Sequence, residues 1–164
     1  MKETIPLNHP ELMAEQHSIN INILNETDLR IPLSQDMAVG AAKAISKYED
    51  GVFSFLELVY IDETEIRKIN QKHLNHDYIT DIITFGYNEP DDNAPVEATL
   101  FCCAPRIVEQ ANDFNTDVKS EFLRVFIHGL LHLTGYDDKT AEQKTIMRDK
   151  ESFYINHILK TYAK

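Results

Sequence analysis

The feature that most constrains the fold is the segment from Phe122 to Leu133, FLRVFIHGLLHL, which is apolar nearly all round. A helix with no polar side must run through the middle of a fold, with other elements packed about it. The pattern extends this helix back to Asp117, and Gly135 stands where a left-handed residue closes a last turn. Three polar residues interrupt the apolar surface: Arg124, His128 and His132. Each is four residues from the next, so they stack on one face.

A polar stripe inside a buried helix asks for a reason. Two His at i and i+4 bring their ring nitrogens close enough to share one metal ion, as in the HExxH zinc sites. The other reading is that each His is a satisfied core or surface residue, and the residues alone leave both open. On the metal reading the third ligand comes from the turn that follows, with Asp137 and Asp138 as candidates. A peptidase of the HExxH type needs Glu directly after the first His. Here Gly129 stands there, which argues against peptide hydrolysis.

The elements around this helix follow from periodicity. Ile19, Ile21 and Ile23 alternate with Asn20 and Asn22 as in a strand with one buried face. Ser34 caps a helix carrying Met37, Ala41, Ile45 and Tyr48, which stops near Asp50-Gly51. Phe53 to Ile61 is apolar on both faces and reads as a central strand, with Phe53, Phe55, Val59 and Ile61 on one side. Asp62 and Glu65 form a capping box for a helix carrying Ile66, Ile69 and Leu74. Strands follow at Ile82 to Tyr87 and from about Ala98 to Cys103, around an acidic loop from Glu89 to Glu97. A helix starts near Pro105, and Thr140 caps a last one reaching about Tyr162, with Met147, Tyr154 and Ile158 inward. This order predicts a single α+β domain over residues 1–164 with one mixed sheet of about four strands, residues 1–16 being a loose extension.

Composition excludes several classes. The chain of 164 residues is long enough to hold a core without disulfides or a metal staple, so a metal would serve function first. Cys102 and Cys103 are adjacent, which makes neither a disulfide framework nor a CxxC pair. They read as small apolar residues in a buried strand. No apolar stretch approaches a bilayer span, and Met1 to Ser18 is polar, so a cytoplasmic protein with no membrane partner is expected. Sixteen Lys and Arg against twenty-seven Asp and Glu leave a net charge of −11. That balance opposes non-specific binding to nucleic acid, so any such role must rest on a local site.

Residues 128–138, HGLLHLTGYDD, resemble the HGxLHLxGYDH signature of the YbeY family, bacterial metal-dependent endoribonucleases of rRNA maturation and ribosome quality control. Ile69-Asn70 and Thr80-Asp81-Ile82-Ile83-Thr84-Phe85 are similar to the same family's LN…TDVLSF block, so the resemblance covers about residues 56 to 160. It implies the zinc-hydrolase-like fold of that family and one Zn2+ per chain, held by His128, His132 and Asp138. The family has His where this chain has Asp138. A carboxylate is an acceptable zinc ligand, and two His with one carboxylate also suit other divalent transition metals. The substrate implied is single-stranded RNA, cut by a metal-activated water or through a metal-stabilised phosphorane, with the small ribosomal subunit or ribosome-associated proteins as partners. Asp81 and Asp137 are candidates to orient the metal-binding imidazoles, or else to open a strand and bond the ligand turn.

The family's Arg ahead of the TD block aligns with Leu74, and His73, His76 and Arg124 are the residues that could substitute as helpers. Asn70 reads as structural, holding the loop before the second strand. Two rival functions are an assembly factor with a structural metal and little catalysis, and a zinc-dependent peptidase or amide hydrolase.

Overall fold

A computed structural model describes residues 18–49, 51–89 and 93–162; the expected extension at residues 1–16 lies outside them. Ile21 and Ile23 of the alternating run fall in β1 (Asn20–Asn25), with Ile19 just ahead of it, and β1 pairs in parallel with β2 (Phe53–Ile61). Parallel neighbours cannot be joined by a tight turn. Their connection carries α1 (Gln35–Tyr48), whose first turn is closed by the Ser34 hydroxyl accepting from the Met37 N–H at 3.1 Å. After α2 (Glu63–Leu74), β3 (Ile82–Gly86) and β4 (Val96–Cys103) pair antiparallel. β4 enters beside β2 and parallel to it, giving a mixed sheet of order β1-β2-β4-β3. Three helices complete the α+β domain: α3 (Ala104–Asp113), α4 (Val118–Leu133) and α5 (Ala141–Thr161). Among the described residues no helix is long and apolar enough to cross a membrane.

The two faces of the sheet are covered unequally. Leu56, Leu58, Tyr60, Leu100 and Cys102 belong to a large core shared with α1, α3, α4 and α5. On the other face Val59, Ile61, Ile83 and Cys103 meet only Ile66 and half-buried neighbours under α2. Both cysteines are buried strand residues. The all-round apolar helix, α4, lies inside the larger core, with Phe122, Phe126, Ile127 and Leu130 fully covered. Gly129 lets it come close to the sheet: a Cβ there would lie 2.6 Å from Ile82 Cδ1 and 2.9 Å from Leu100 Cδ2.

The structure departs from the sequence reading where local pattern competes with tertiary pairing. A register irregularity between Phe53 and Phe55 puts Phe53 into the larger core with Leu56 and Leu58, on the opposite side from the one strict alternation assigns. β4 begins at Val96, because the Val96 N–H bonds the Val52 carbonyl and the Asn88 side chain accepts from the Glu97 N–H. Asp62 caps α2 by accepting from the Glu65 N–H at 2.9 Å, while the reciprocal capping box belongs to Thr140 and Gln143 at the start of α5. Leu74 and Tyr48 end their helices exposed, since each lies past the last turn that meets the core. Asn70 is buried and donates to the Tyr78 carbonyl at 2.9 Å, holding the loop before β3.

Candidate metal centre

The site grows from the C-terminal half of α4. His128 and His132 project from adjacent turns, and their rings meet edge to face with centroids 4.5 Å apart. Each ring is fixed through its Nδ1. His128 Nδ1 lies 2.6 Å from Oε2 of Glu151 on α5, and His132 Nδ1 lies 2.9 Å from the Tyr136 carbonyl oxygen. A carboxylate and a carbonyl only accept, so both Nδ1 atoms carry the proton. In the neutral form of the rings this leaves both Nε2 lone pairs aimed at the same point.

The turn after α4 supplies the rest. Gly135 adopts φ +108°, and its N–H bonds the His132 carbonyl while the Tyr136 N–H bonds that of Leu131. This pair of bonds is the Schellman closure of a helix, and it requires the left-handed residue that glycine supplies. The closure turns the Tyr136 carbonyl back onto the His132 ring. Asp137 then accepts the Asp138 N–H at 2.9 Å, and the capping box of Thr140 starts α5 immediately afterwards. With both ends of the turn pinned, the Asp138 carboxylate comes to 3.4 Å from His128 Nε2 and 3.7 Å from His132 Nε2.

These three side chains form a group that could hold a metal ion, with ligand atoms all within 4.8 Å of one another. Bonds of about 2.0–2.2 Å in tetrahedral geometry place ligand atoms about 3.3–3.6 Å apart. Of the two distances to Asp138, 3.4 Å lies within that range and 3.7 Å just above it, and the two Nε2 atoms are closer, at 2.9 Å. With each Nε2 deprotonated, as a metal ligand must be, two imidazoles and a carboxylate converge as three acceptors. A divalent cation satisfies all three at once, so the residues fit the group.

The electrostatics centre on Glu151. Its side chain is only 7% exposed, yet it stays ionised: burial raises its pKa, but the bonds and charges of His128 and Arg124 outweigh burial and bring it below the usual value. Arg124 Nη1 bonds its other oxygen at 2.9 Å. Burial depresses the His128 imidazolium, and the Glu151 hydrogen bond and charge, with Asp81 and Asp138, turn the net shift upward. A second buried carboxylate, Glu49 at the end of α1, ties down the ligand turn by accepting from the Tyr136 hydroxyl at 2.5 Å, from Tyr154 and from Lys150 at 3.2 Å.

The expected helpers separate in space. Asp81 lines the same cavity as His128 but accepts from Gln110 at 3.2 Å, so it orients no imidazole; Glu151 does so instead. Asp137 bonds backbone and lies 3.8 Å from Lys139, again without touching an imidazole. His76 stacks on Tyr78, and His73 meets the Phe85 ring; neither joins the cavity at His128. Arg124 does line that cavity. Glu151 is legible in the sequence as a carboxylate on the inward stripe of Met147, Tyr154 and Ile158, but its partner is 23 residues away along the chain. Nothing in the local pattern at Glu49 signals its role.

The family model described as Endoribonuclease YbeY matches residues 15–159. The chain belongs to the YbeY family. Among its relatives, the Endoribonuclease YbeY of Chlorobaculum parvum is 37% identical over 138 residues, covering 84% of this chain and 94% of that protein. The Endoribonuclease YbeY of Christiangramia forsetii is 35% identical over 134 residues, covering 80% and 89%. The solution structure of TM1509 from Thermotoga maritima superposes with a TM-score of 0.61 at 27% identity, covering 87% of this chain and 91% of that one. The matched region takes in residues 128–138, which build the cluster. The third member of the cluster is a carboxylate, Asp138, placed by the same turn that holds His132.

Proposed function

We propose that this chain is a metal-dependent, single-strand-specific endoribonuclease acting in rRNA maturation and ribosome quality control, with His128, His132 and Asp138 holding one Zn2+. The observation that carries this reading is the convergence of two Nδ1-anchored imidazoles and Asp138 on one point, within a chain of the YbeY family. A divalent ion there supplies Lewis acidity toward water or a phosphate oxygen.

The chain's own residues do the rest. Glu151 and the Tyr136 carbonyl keep the imidazoles in the liganding tautomer, and the negative charge of Glu151 makes His128 a more basic ligand. Arg124 uses one N–H on Glu151 and leaves other guanidinium donors in the cavity for a phosphate oxygen. A peptidase's glutamate base has no room: a side chain at position 129 would strike Ile82 and Leu100 in the sheet. The RNA and the small ribosomal subunit are the partners of this reading, and the cytoplasm its compartment.

The test is cleavage of end-labelled single-stranded RNA with and without a chelator, beside His128→Ala. Chelator-sensitive cleavage lost in the variant is expected. Full activity in a metal-free Asp138→Ala protein would overturn it. A second reading, an assembly factor with little catalysis, is favoured by the exposed Leu74 at the position of the family's arginine. It predicts co-sedimentation with the small ribosomal subunit that persists in Asp138→Ala, without cleavage.

A further inference from the structure

An acidic chain has to bind RNA through a local site, and the surface beside His128 has the makings of one. The cavity there has a volume of about 370 Å³, within the usual range for ligand sites. Its walls include Arg124, Lys144, Arg148 and Phe114. Lys144 and Arg148 are four residues apart on α5, so they share a face, and both are exposed. Among the described ion pairs neither takes part, whereas Arg67, Lys68, Arg106, Lys139 and Lys150 are each matched to an acid.

Phe114 sits just past the end of α3 and is 66% exposed. A lone exposed aromatic needs no explanation. An exposed ring lining the same cavity as two unmatched cations and a metal-site imidazole has the combination that single strands require, a stacking face beside charges that follow the backbone. The acids on the same walls are accounted for otherwise: Glu151 is matched by Arg124 and His128, Asp138 belongs to the metal cluster, Asp81 accepts from Gln110, and Glu121 is buried and accepts from the Thr116 hydroxyl.

The geometry points to a single-stranded RNA subsite in which Phe114 stacks on a nucleobase and Lys144 and Arg148 hold flanking phosphates, while Arg124 and the His128 side deal with the phosphate to be cut. It rests on the endoribonuclease reading of the neighbouring triad. It also locates RNA recognition on α5 and the end of α3, away from the α2 end, where Leu74 offers no charge.

The experiment is fluorescence anisotropy of the full chain with a labelled single-stranded RNA whose 2′-hydroxyls are methylated, in the presence of a chelator, so that neither 2′-hydroxyl attack nor metal-activated water cuts it and binding is read alone. Phe114→Ala is expected to weaken binding roughly ten-fold with an unchanged salt dependence. Lys144→Ala with Arg148→Ala is expected to reduce the slope of log affinity against log salt by about 0.7 for each phosphate no longer neutralised. Lys43→Ala, outside the cavity, is expected to change neither. All four positions are solvent-exposed, and circular dichroism with Tm checks that the variants fold. Wild-type affinity and slope in the Phe114 and Lys144/Arg148 variants overturn the subsite, as does absence of binding by the parent. Cleavage of unmodified RNA is measured in parallel: a parent that cuts while the variants bind normally keeps the nuclease and loses the subsite. A parent that never cuts, but whose binding falls in the variants, keeps the subsite and loses the nuclease.

Discussion

The two histidines are held by different kinds of structure. His128 leans on Glu151, a buried carboxylate brought from α5, which also anchors Arg124. His132 leans on a backbone carbonyl four residues away, presented by a helix-closing turn with Gly135 at its apex. One half of the site is a charged tertiary contact. The other is local backbone geometry, stiffened from a distance by Glu49. A helix gives the spacing of two ligands, but the orientation of each ring is a separate problem, solved once through charge and once through a turn.

The largest test of this contrast removes ligands. His128→Ala and Asp138→Ala should each bring metal content, measured by mass spectrometry of the dialysed protein, down to background. Their chelated forms should differ: His128→Ala loses the Glu151 bond and falls in Tm, whereas Asp138→Ala, on a half-exposed turn, keeps the parent value. Next in size, Glu151→Gln keeps the side chain's shape and removes its charge. Metal affinity by competition titration should fall about 10–100-fold, the usual cost of losing a partner behind a metal-binding imidazole. An unchanged affinity would show that the charge behind His128 does not matter.

Gly129→Ala probes how closely α4 must approach the sheet. Its new methyl would meet Ile82 and Leu100, and overpacking of this kind costs about 1–3 kcal/mol, read as a lowered Tm in the chelated protein. The smallest effect belongs to the turn. Tyr136→Phe keeps the carbonyl under His132 and loses the phenol's bond to the Glu49 carboxylate and its contact with Lys150; a bond to a charged group is worth roughly 1.5–3 kcal/mol, only part of which reaches the ligands, so metal affinity should fall by no more than about five-fold.

Glu49 adds a pH signature. Burial raises its carboxyl pKa, but the bonds from Tyr136, Tyr154 and Lys150 bring it below the ordinary value of 4.5. A group depressed in the folded state contributes stability that is present above its unfolded pKa and lost as pH falls through the folded value. The stability deficit of Glu49→Gln in urea should therefore be full at neutral pH and shrink below about pH 4. A deficit independent of pH would mean that the carboxylate's charge is not what ties the turn down.

Much of this molecule is legible one residue at a time. The alternation of Ile19, Ile21 and Ile23, the caps at Ser34, Asp62 and Thr140, and the double-sided run of β2 are local patterns, and each becomes the element it implies. Strict alternation puts Phe53 on the wrong side because a strand's alternation holds only while its register does, and that register belongs to the pairing with β4. Asp81 reads either as the partner of an imidazole or as the opening of a strand; it accepts from Gln110 just ahead of β3, and the carboxylate behind His128 is Glu151.

What the sequence determined by itself is whatever depends on neighbours along the chain. The i, i+4 pair on a buried helix, the glycine that closes that helix, and the aspartates within reach of its end all follow from helical periodicity and turn chemistry. What only the tertiary structure decided is which distant groups meet these residues. Glu151 reaches His128 across α4 and α5, Glu49 reaches Tyr136 from the end of α1, and Phe114 shares a cavity with Lys144 and Arg148. Those meetings depend on how helices pack over a sheet, where neighbours are set by the shape of a whole core and leave no periodic trace in the chain.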